Sequence, residues 1–278
     1  MPRRRYGFDE EKIARFHAEG RGTGFGATYK PWLTVQDVPS SGRTHRPLGL
    51  KTGRVHQLLS DIERDLFYIL DWCESVIDIR EQFPLDRAAT QSIAQRLGIR
   101  HPQDTATKTP LVMTTDFLCE VMRDGQRVLH ARAVKPAGKL ETDRVVQKLE
   151  IERRYWVERG VEWGIVTEAD IPEVYVANID QVHKCAVVSD LTQPYPGYYA
   201  ENAALIAREV PARSHLGLNR FCAEMDLRLS LRPGTARMLV RHLIATRVLV
   251  CDMARPIDDD APLTWLRLAD PGQGRQTA

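Results

Sequence analysis

Two apolar runs of this 278-residue chain carry ionisable side chains where core residues are expected. Thr114-Thr115-Asp116-Phe117 holds a carboxylate, and Ala131-Arg132-Ala133-Val134-Lys135-Pro136 ends on a lysine. A buried carboxylate is costly unless it is paired or binds a metal. An Asp116–Lys135 ion pair inside a half-buried sheet meets that need by itself. A third group opens another reading. Glu63 lies within an apolar stripe of Val55, Leu58, Leu59, Ile62, Leu66, Phe67, Ile69 and Leu70 at helical spacing, and its neighbours three and four residues away offer no Lys or Arg. Asp61, with Arg64 three residues on, reads instead as ordinary surface. Two acids and a lysine from one helix and two strands form the set that metal-dependent phosphodiester cleavage uses. Oxygen ligands of this kind suit Mg²⁺ or Mn²⁺, and Mg²⁺ takes one or two protein carboxylates and completes its octahedron with water and phosphate.

The elements that must position these groups follow from periodicity. Leu111 to Met122 and Arg127 to Lys135 read as strands joined by Arg123-Asp124-Gly125-Gln126, and Asp-Gly between such runs is a strong hairpin signal. Val112, Thr114, Asp116, Leu118 and Glu120 then share one face. On the partner strand Lys135 shares its face with Leu129, Ala131 and Ala133, small residues that suggest a pocket. Ser75 to Phe83 alternates as a further strand, ended by Pro84, and Thr90 to Leu97 reads as a short helix followed by a polar loop, His101 to Thr109. Thr142 to Arg159 places Val145, Leu149, Glu152 and Trp156 on one side and stops at Gly160, which makes it a crossover helix into a strand over Val161 to Thr167. Glu150, Glu152, Arg153 and Arg154 read as ion pairs on its surface. The whole is an α/β core.

Residues 22–168 carry a resemblance spread over many separate matches in order. They are Pro31-Trp32-Leu33-Thr34-Val35-Gln36-Asp37-Val38-Pro39-Ser40-Ser41-Gly42-Arg43, Lys51-Thr52-Gly53-Arg54-Val55-His56, Leu59-Ser60-Asp61-Ile62-Glu63, Asp78-Ile79-Arg80-Glu81-Gln82-Phe83-Pro84-Leu85, Thr115-Asp116-Phe117, Val134-Lys135-Pro136 and Lys148-Leu149-Glu150-Ile151-Glu152-Arg153-Arg154-Tyr155-Trp156. On these the chain resembles the TnsA family, the endonuclease subunits of heteromeric cut-and-paste DNA transposases. The resemblance implies a restriction-endonuclease-like fold with Glu63, Asp116 and Lys135 as the catalytic positions, and a cut in the 5′ strand at transposon ends. It also implies that a partner transposase (TnsB-like) and an ATP-dependent regulator (TnsC-like) work with the chain. The family often has Gln two residues before the lysine, where this chain has Ala133. Metal ligation would then fall to Glu63, Asp116 and the main-chain carbonyl of Val134, with Glu150 supporting them from behind. Two other readings use the same residues: an adaptor whose site decayed at Ala133, and a free-standing restriction or repair nuclease. The retained Glu63, Asp116 and Lys135 speak against the first, and the lack of an obvious sequence-reading module speaks against the second.

Lys plus Arg number 39 against 37 Asp plus Glu, so net charge argues neither for nor against nucleic acid and its distribution decides. Between Gly20 and Leu58 the bases Arg21, Lys30, Arg43, Arg46, Lys51 and Arg54 face one acid, Asp37. This stretch reads as a long irregular loop with Tyr29 and Trp32 interleaved, suited to phosphate contact through Arg43, Arg46, Lys51 and Arg54. A short helix, Asp9 to Glu19, precedes it, after a basic Met1-Pro2-Arg3-Arg4-Arg5 that lacks the apolar core of a signal peptide. Five scattered cysteines without metal-type spacing, and no run of membrane-spanning length, point to a reduced, cytoplasmic protein.

A change in composition near Ala169 to Pro172 divides the chain into residues 1–168 and 169–278. Beyond it, helices over Leu216 to Leu229 and Thr235 to Ala245, then strands over Arg247 to Cys251 and Leu263 to Leu268, give the order of a winged helix. Its hairpin tip, Asp258-Asp259-Asp260, would repel phosphate and is expected to face solvent or a basic partner, while Arg232, Arg237 and Arg241 could set the preceding helix on a DNA backbone. Asp270 to Ala278 reads as a loose polar tail.

Overall fold

Asp124 and Gly125 both adopt left-handed φ values, 51° and 75°, as the two-residue turn of a tight hairpin requires. The sheet grows outward from that turn in the computed structural model, which describes residues 7–38 and 42–270. The basic N-terminus, Pro39-Ser40-Ser41 and most of the polar tail lie outside the described residues. Strands β1 (Val76–Pro84), β2 (Thr114–Arg123), β3 (Gln126–Val134) and β4 (Glu162–Val166) lie side by side in that order. The first two junctions are antiparallel, and β3 runs parallel to β4. That parallel step needs a crossover, supplied by helix α4 (Asp143–Val157). Helix α3 (Arg87–Arg96) packs beside α4, and Ile93, Ile151 and Trp156 bury one face of the sheet over Leu118 and Ala131. Ala131 and Ala133 are both wholly buried. The small residues expected to line a pocket are therefore packed core.

Two elements differ from their sequence expectation. Helix α2 (Asp61–Trp72) begins six residues later than the apolar stripe starts, because the Ser60 side chain accepts the Glu63 N–H and caps it. Val55 and Leu58 instead form isolated bridges with Leu48 and His45. The stretch before α2 is also not structureless. Helix α1 (Glu10–Ala18) packs Ile13 and Phe16 against Trp32. Tyr29 and Trp32 are 3% and 1% exposed, so they serve the core rather than a nucleic acid. Asp71 accepts the N–H groups of Leu50 and Lys51. Glu81 receives two guanidinium nitrogens of Arg54 at 2.8 and 2.5 Å, a ring nitrogen of His56 at 2.8 Å and the Gln57 N–H at 2.9 Å. Arg54, read from sequence as a phosphate contact, is consequently an interior partner of Glu81.

The described chain divides into residues 1–171 and 172–278. The second unit has helices α5 (Glu173–His183), α6 (Tyr198–Glu209), α7 (Leu218–Arg228) and α8 (Thr235–Ala245), then two antiparallel strands, β5 (Leu249–Val250) and β6 (Arg267–Leu268). Each strand has only two residues, shorter than the sequence suggests, because much of the intervening chain folds back on the helices. Asp259 pairs with Arg237 at 2.7 Å, Asp260 accepts from the Asn219 amide, and the Asp259 carbonyl accepts the Asn219 N–H. The acidic tip thus neutralises its own helix α8 and does not project as a free charge cluster.

Burial alone would raise the Glu81 carboxyl, but its bonds to Arg54 and His56 prevail and bring it down to about 2 from an ordinary 4.5. A depressed carboxylate stabilises the fold fully above the ordinary value and loses that contribution as pH falls toward the depressed one. Arg54→Ala leaves Glu81 buried without its main partner and should cost about 3–5 kcal/mol in urea unfolding at pH 7. The acid limb of the stability curve should also move to higher pH than in the wild type. A variant as stable as the wild type, with an unmoved acid limb, would show that the pair does not hold the loop.

Candidate active site

β2 and β3 deliver Asp116 and Lys135 to one point because both strands run out at the same edge of the hairpin. Asp116 Oδ2 accepts the Val134 N–H and the Lys135 ammonium, each at 2.7 Å. The same ammonium donates to the Val134 carbonyl at 2.6 Å. Lys135 therefore bridges Asp116 and the Val134 carbonyl, two of the groups that the sequence resemblance assigns to a cation. Burial would depress the lysine, but the charge of Asp116, with Glu152 and Glu63 behind it, holds its pKa above the ordinary value.

Glu63 enters from α2. Its carboxylate accepts the Leu59 N–H at 2.9 Å and the Ser60 hydroxyl at 3.1 Å. Burial and the charge of Asp116 push it up to about 7. Among the described residues no Lys or Arg is bonded to it, as its helical neighbours suggest, and its compensation comes from the Leu59 N–H and then from the field of Lys135. Two buried carboxylates that repel one another, beside a main-chain carbonyl, form a hard-oxygen donor set that a divalent cation would relieve. Among the described residues no three His, Cys, Asp or Glu side chains converge as a metal cage.

Three further residues belong to this neighbourhood. Glu152 is not the surface group read from sequence. It is buried on α4, where its carboxylate accepts the Thr115 hydroxyl at 2.8 Å and the Trp163 indole N–H at 3.1 Å, and burial followed by Asp116 pushes it up to about 7. Its position between Leu149 and Trp156 on the apolar stripe was the signal that could have found it. Glu150, expected to support the ligands, is instead engaged by Arg153 and Arg154 on the same helix. Lys148 on α4 lies within the field of Lys135 and Arg144, and burial first, then those charges, lower its pKa.

Gln82 is the third. It lies across the β1/β2 ladder from Asp116, between the pairs Glu81–Phe117 and Phe83–Thr115. Its φ of 47° is left-handed, and only 2% of it is exposed. Such a backbone costs a non-glycine residue roughly 1–3 kcal/mol, and it concentrates at functional sites. Nothing in the local spacing of β1 announces it.

Of the basic residues read as phosphate contacts, Arg43 remains 77% exposed beside Asp61, Arg46 is exposed, and Lys51 is half-buried. Arg54 is withdrawn into the interior, as described above.

Glu152→Ala strands the Thr115 hydroxyl and the Trp163 N–H in the core and should cost about 2–4 kcal/mol in chemical denaturation. Glu152→Gln keeps the shape and an accepting oxygen, and its cost should stay below about 1 kcal/mol at neutral pH. Equal losses in the two variants would show that the charge of Glu152, not its hydrogen bonds, matters.

Known proteins similar to this chain point to one family. Residues 73–168 match a family model described as the TnsA-like endonuclease N terminal, and residues 170–253 match one described as the TnsA endonuclease C terminal. The chain is 41% identical over 238 residues to the transposon Tn7 transposition protein TnsA of Escherichia coli, covering 86% of this chain and 84% of that protein. With a mixed α/β sheet domain, two buried acids and a lysine at its edge, and matches that run through both units, this chain belongs to the TnsA endonuclease family.

Proposed function

We propose that the chain is the endonuclease subunit of a cut-and-paste transposase, hydrolysing the 5′ strand at each transposon end in a reaction that depends on Mg²⁺ or Mn²⁺. The observation that carries this reading is the meeting of Asp116, Lys135 and the Val134 carbonyl at 2.6–2.7 Å, with Glu63 in their electrostatic field. Glu63, Asp116 and the Val134 carbonyl would hold the ion. Bound there, the cation would supply Lewis-acid charge against the scissile phosphate. Lys135 places a point charge beside the phosphoryl oxygens and orients the attacking water. The water oxygen bonds to phosphorus and gives its proton to solvent, the bridging P–O bond breaks, and the departing sugar oxygen takes a proton from solvent to leave as a hydroxyl. No covalent intermediate with the enzyme is required.

Arg43, Arg46 and Lys51 would track the phosphate backbone, and their neutralisation should flatten the salt dependence of DNA binding by about 0.9 per lost contact in a log–log plot. An unchanged slope would remove them from the interface. A TnsB-like transposase and a TnsC-like ATP-dependent regulator are the partners this reading brings with it. In the second unit, the helix order with its short strands supports a winged-helix-like module, in which Arg232 is exposed and Arg241 donates to Gln181 rather than to the acidic loop.

Asp116→Asn preserves an acceptor for the Val134 N–H while removing the charge. It should leave the protein folded and reduce 5′-strand cleavage of end-labelled transposon-end DNA by about 10³-fold or more in the presence of the partner transposase and Mg²⁺. Wild-type levels of cleavage by this variant, or full wild-type cleavage in excess EDTA, would overturn the proposal.

A further inference from the structure

We infer that Gln82 is a positioning residue for Asp116, an inference that rests on the metal-dependent reading of the site. Asp116 Oδ2 is saturated by the Val134 N–H and the Lys135 ammonium. Oδ1 is therefore the oxygen that keeps lone pairs for a cation, and the Gln82 amide reaches it, Nε2 lying 3.4 Å away. The orientation of that amide is set from its other end. The Thr114 hydroxyl donates to Gln82 Oε1 at 3.2 Å, so the nitrogen must face the carboxylate. The main chain is held as well, because the Gln82 carbonyl accepts the Trp32 N–H at 3.1 Å.

The backbone conformation strengthens the argument. At φ 47° glycine would suit the strand better than any side chain. A glutamine there is wholly enclosed and spends its polar atoms on Thr114 and Asp116. Ala133, on β3, has only a methyl group to offer. An uncharged donor is the group this place calls for: it fixes the rotation of the Asp116 carboxylate without neutralising the charge that a divalent ion needs. Lys135 cannot do this, since it competes for the same charge.

The test compares full-length Gln82→Gly and Thr114→Val with the wild type, using Mn²⁺ titration calorimetry on metal-free protein and thermal melting without metal. Gln82→Gly relieves the left-handed backbone and should melt at or above the wild type, yet bind Mn²⁺ about tenfold more weakly. Thr114→Val keeps the side-chain shape and should weaken Mn²⁺ in the same direction by a smaller factor. Cleavage should fall in the same order. Unchanged Mn²⁺ affinity in both variants overturns the inference. If Gln82→Gly melts lower, Thr114→Val decides: unchanged affinity there overturns it, and weakened affinity with an unchanged melt supports it. Absence of Mn²⁺ binding by the wild type would instead overturn the metal-dependent reading and take this inference with it.

Discussion

Two buried glutamates, Glu63 and Glu152, share one neighbourhood with Asp116, and each is repelled by it. Asp116 is stabilised directly by the Val134 N–H and the Lys135 ammonium. Among the described residues Glu63 and Glu152 have no bonded cation, and both are raised to about 7, first by burial and then by Asp116. An excess of negative charge in a low-dielectric setting is relieved either by protons or by a cation from outside. Lys135 acts as an internal cation, bridging Asp116 and the Val134 carbonyl. Lys135 thereby offsets part of the negative charge gathered there, and the proposed uptake of a divalent ion would offset more.

The rest of the first unit is arranged around that tension. Helix α2 presents Glu63 only because Ser60 starts the helix there, and the loop before it is tied down by Asp71 and Glu81. Glu81 stands next to Gln82 on β1, so the strand that anchors the loop also sends a side chain to Asp116. From the opposite direction α4 contributes Glu152, held by Thr115 and Trp163. Disturbance of the loop is therefore expected to be felt at the site through a short chain of direct contacts. In the second unit a different balance holds. The buried Asp226 accepts the Gly234 and Ala236 N–H groups at the start of α8, and Asp259 neutralises Arg237 on the same helix.

Much of this could be read before any coordinates. The Asp-Gly turn, the hairpin and the crossover helix follow from local rules, since alternation, helical spacing and turn chemistry act over a few residues. Helix α8 coincides with its sequence limits, Thr235–Ala245. Glu63, Asp116 and Lys135 stood out because each is charged among apolar neighbours and has no local partner.

What the sequence could not decide is which charges face inward when the candidates lie far apart along the chain. Arg54 looked like a DNA contact and is bonded to Glu81, 27 residues away. Asp259, expected from sequence to face solvent or a basic partner, pairs with Arg237 of its own chain, 22 residues before it. Glu150 and Glu152 are two residues apart on one helix; the apolar stripe hints at which one turns inward, and the bonds to Trp163 and Thr115 fix it. The left-handed Gln82 is held by Trp32 and Thr114, neither close in sequence. Residue type and spacing determined which groups could do chemistry; long-range pairing of buried charges, whose energy depends on partners brought together only by folding, decided which of them do.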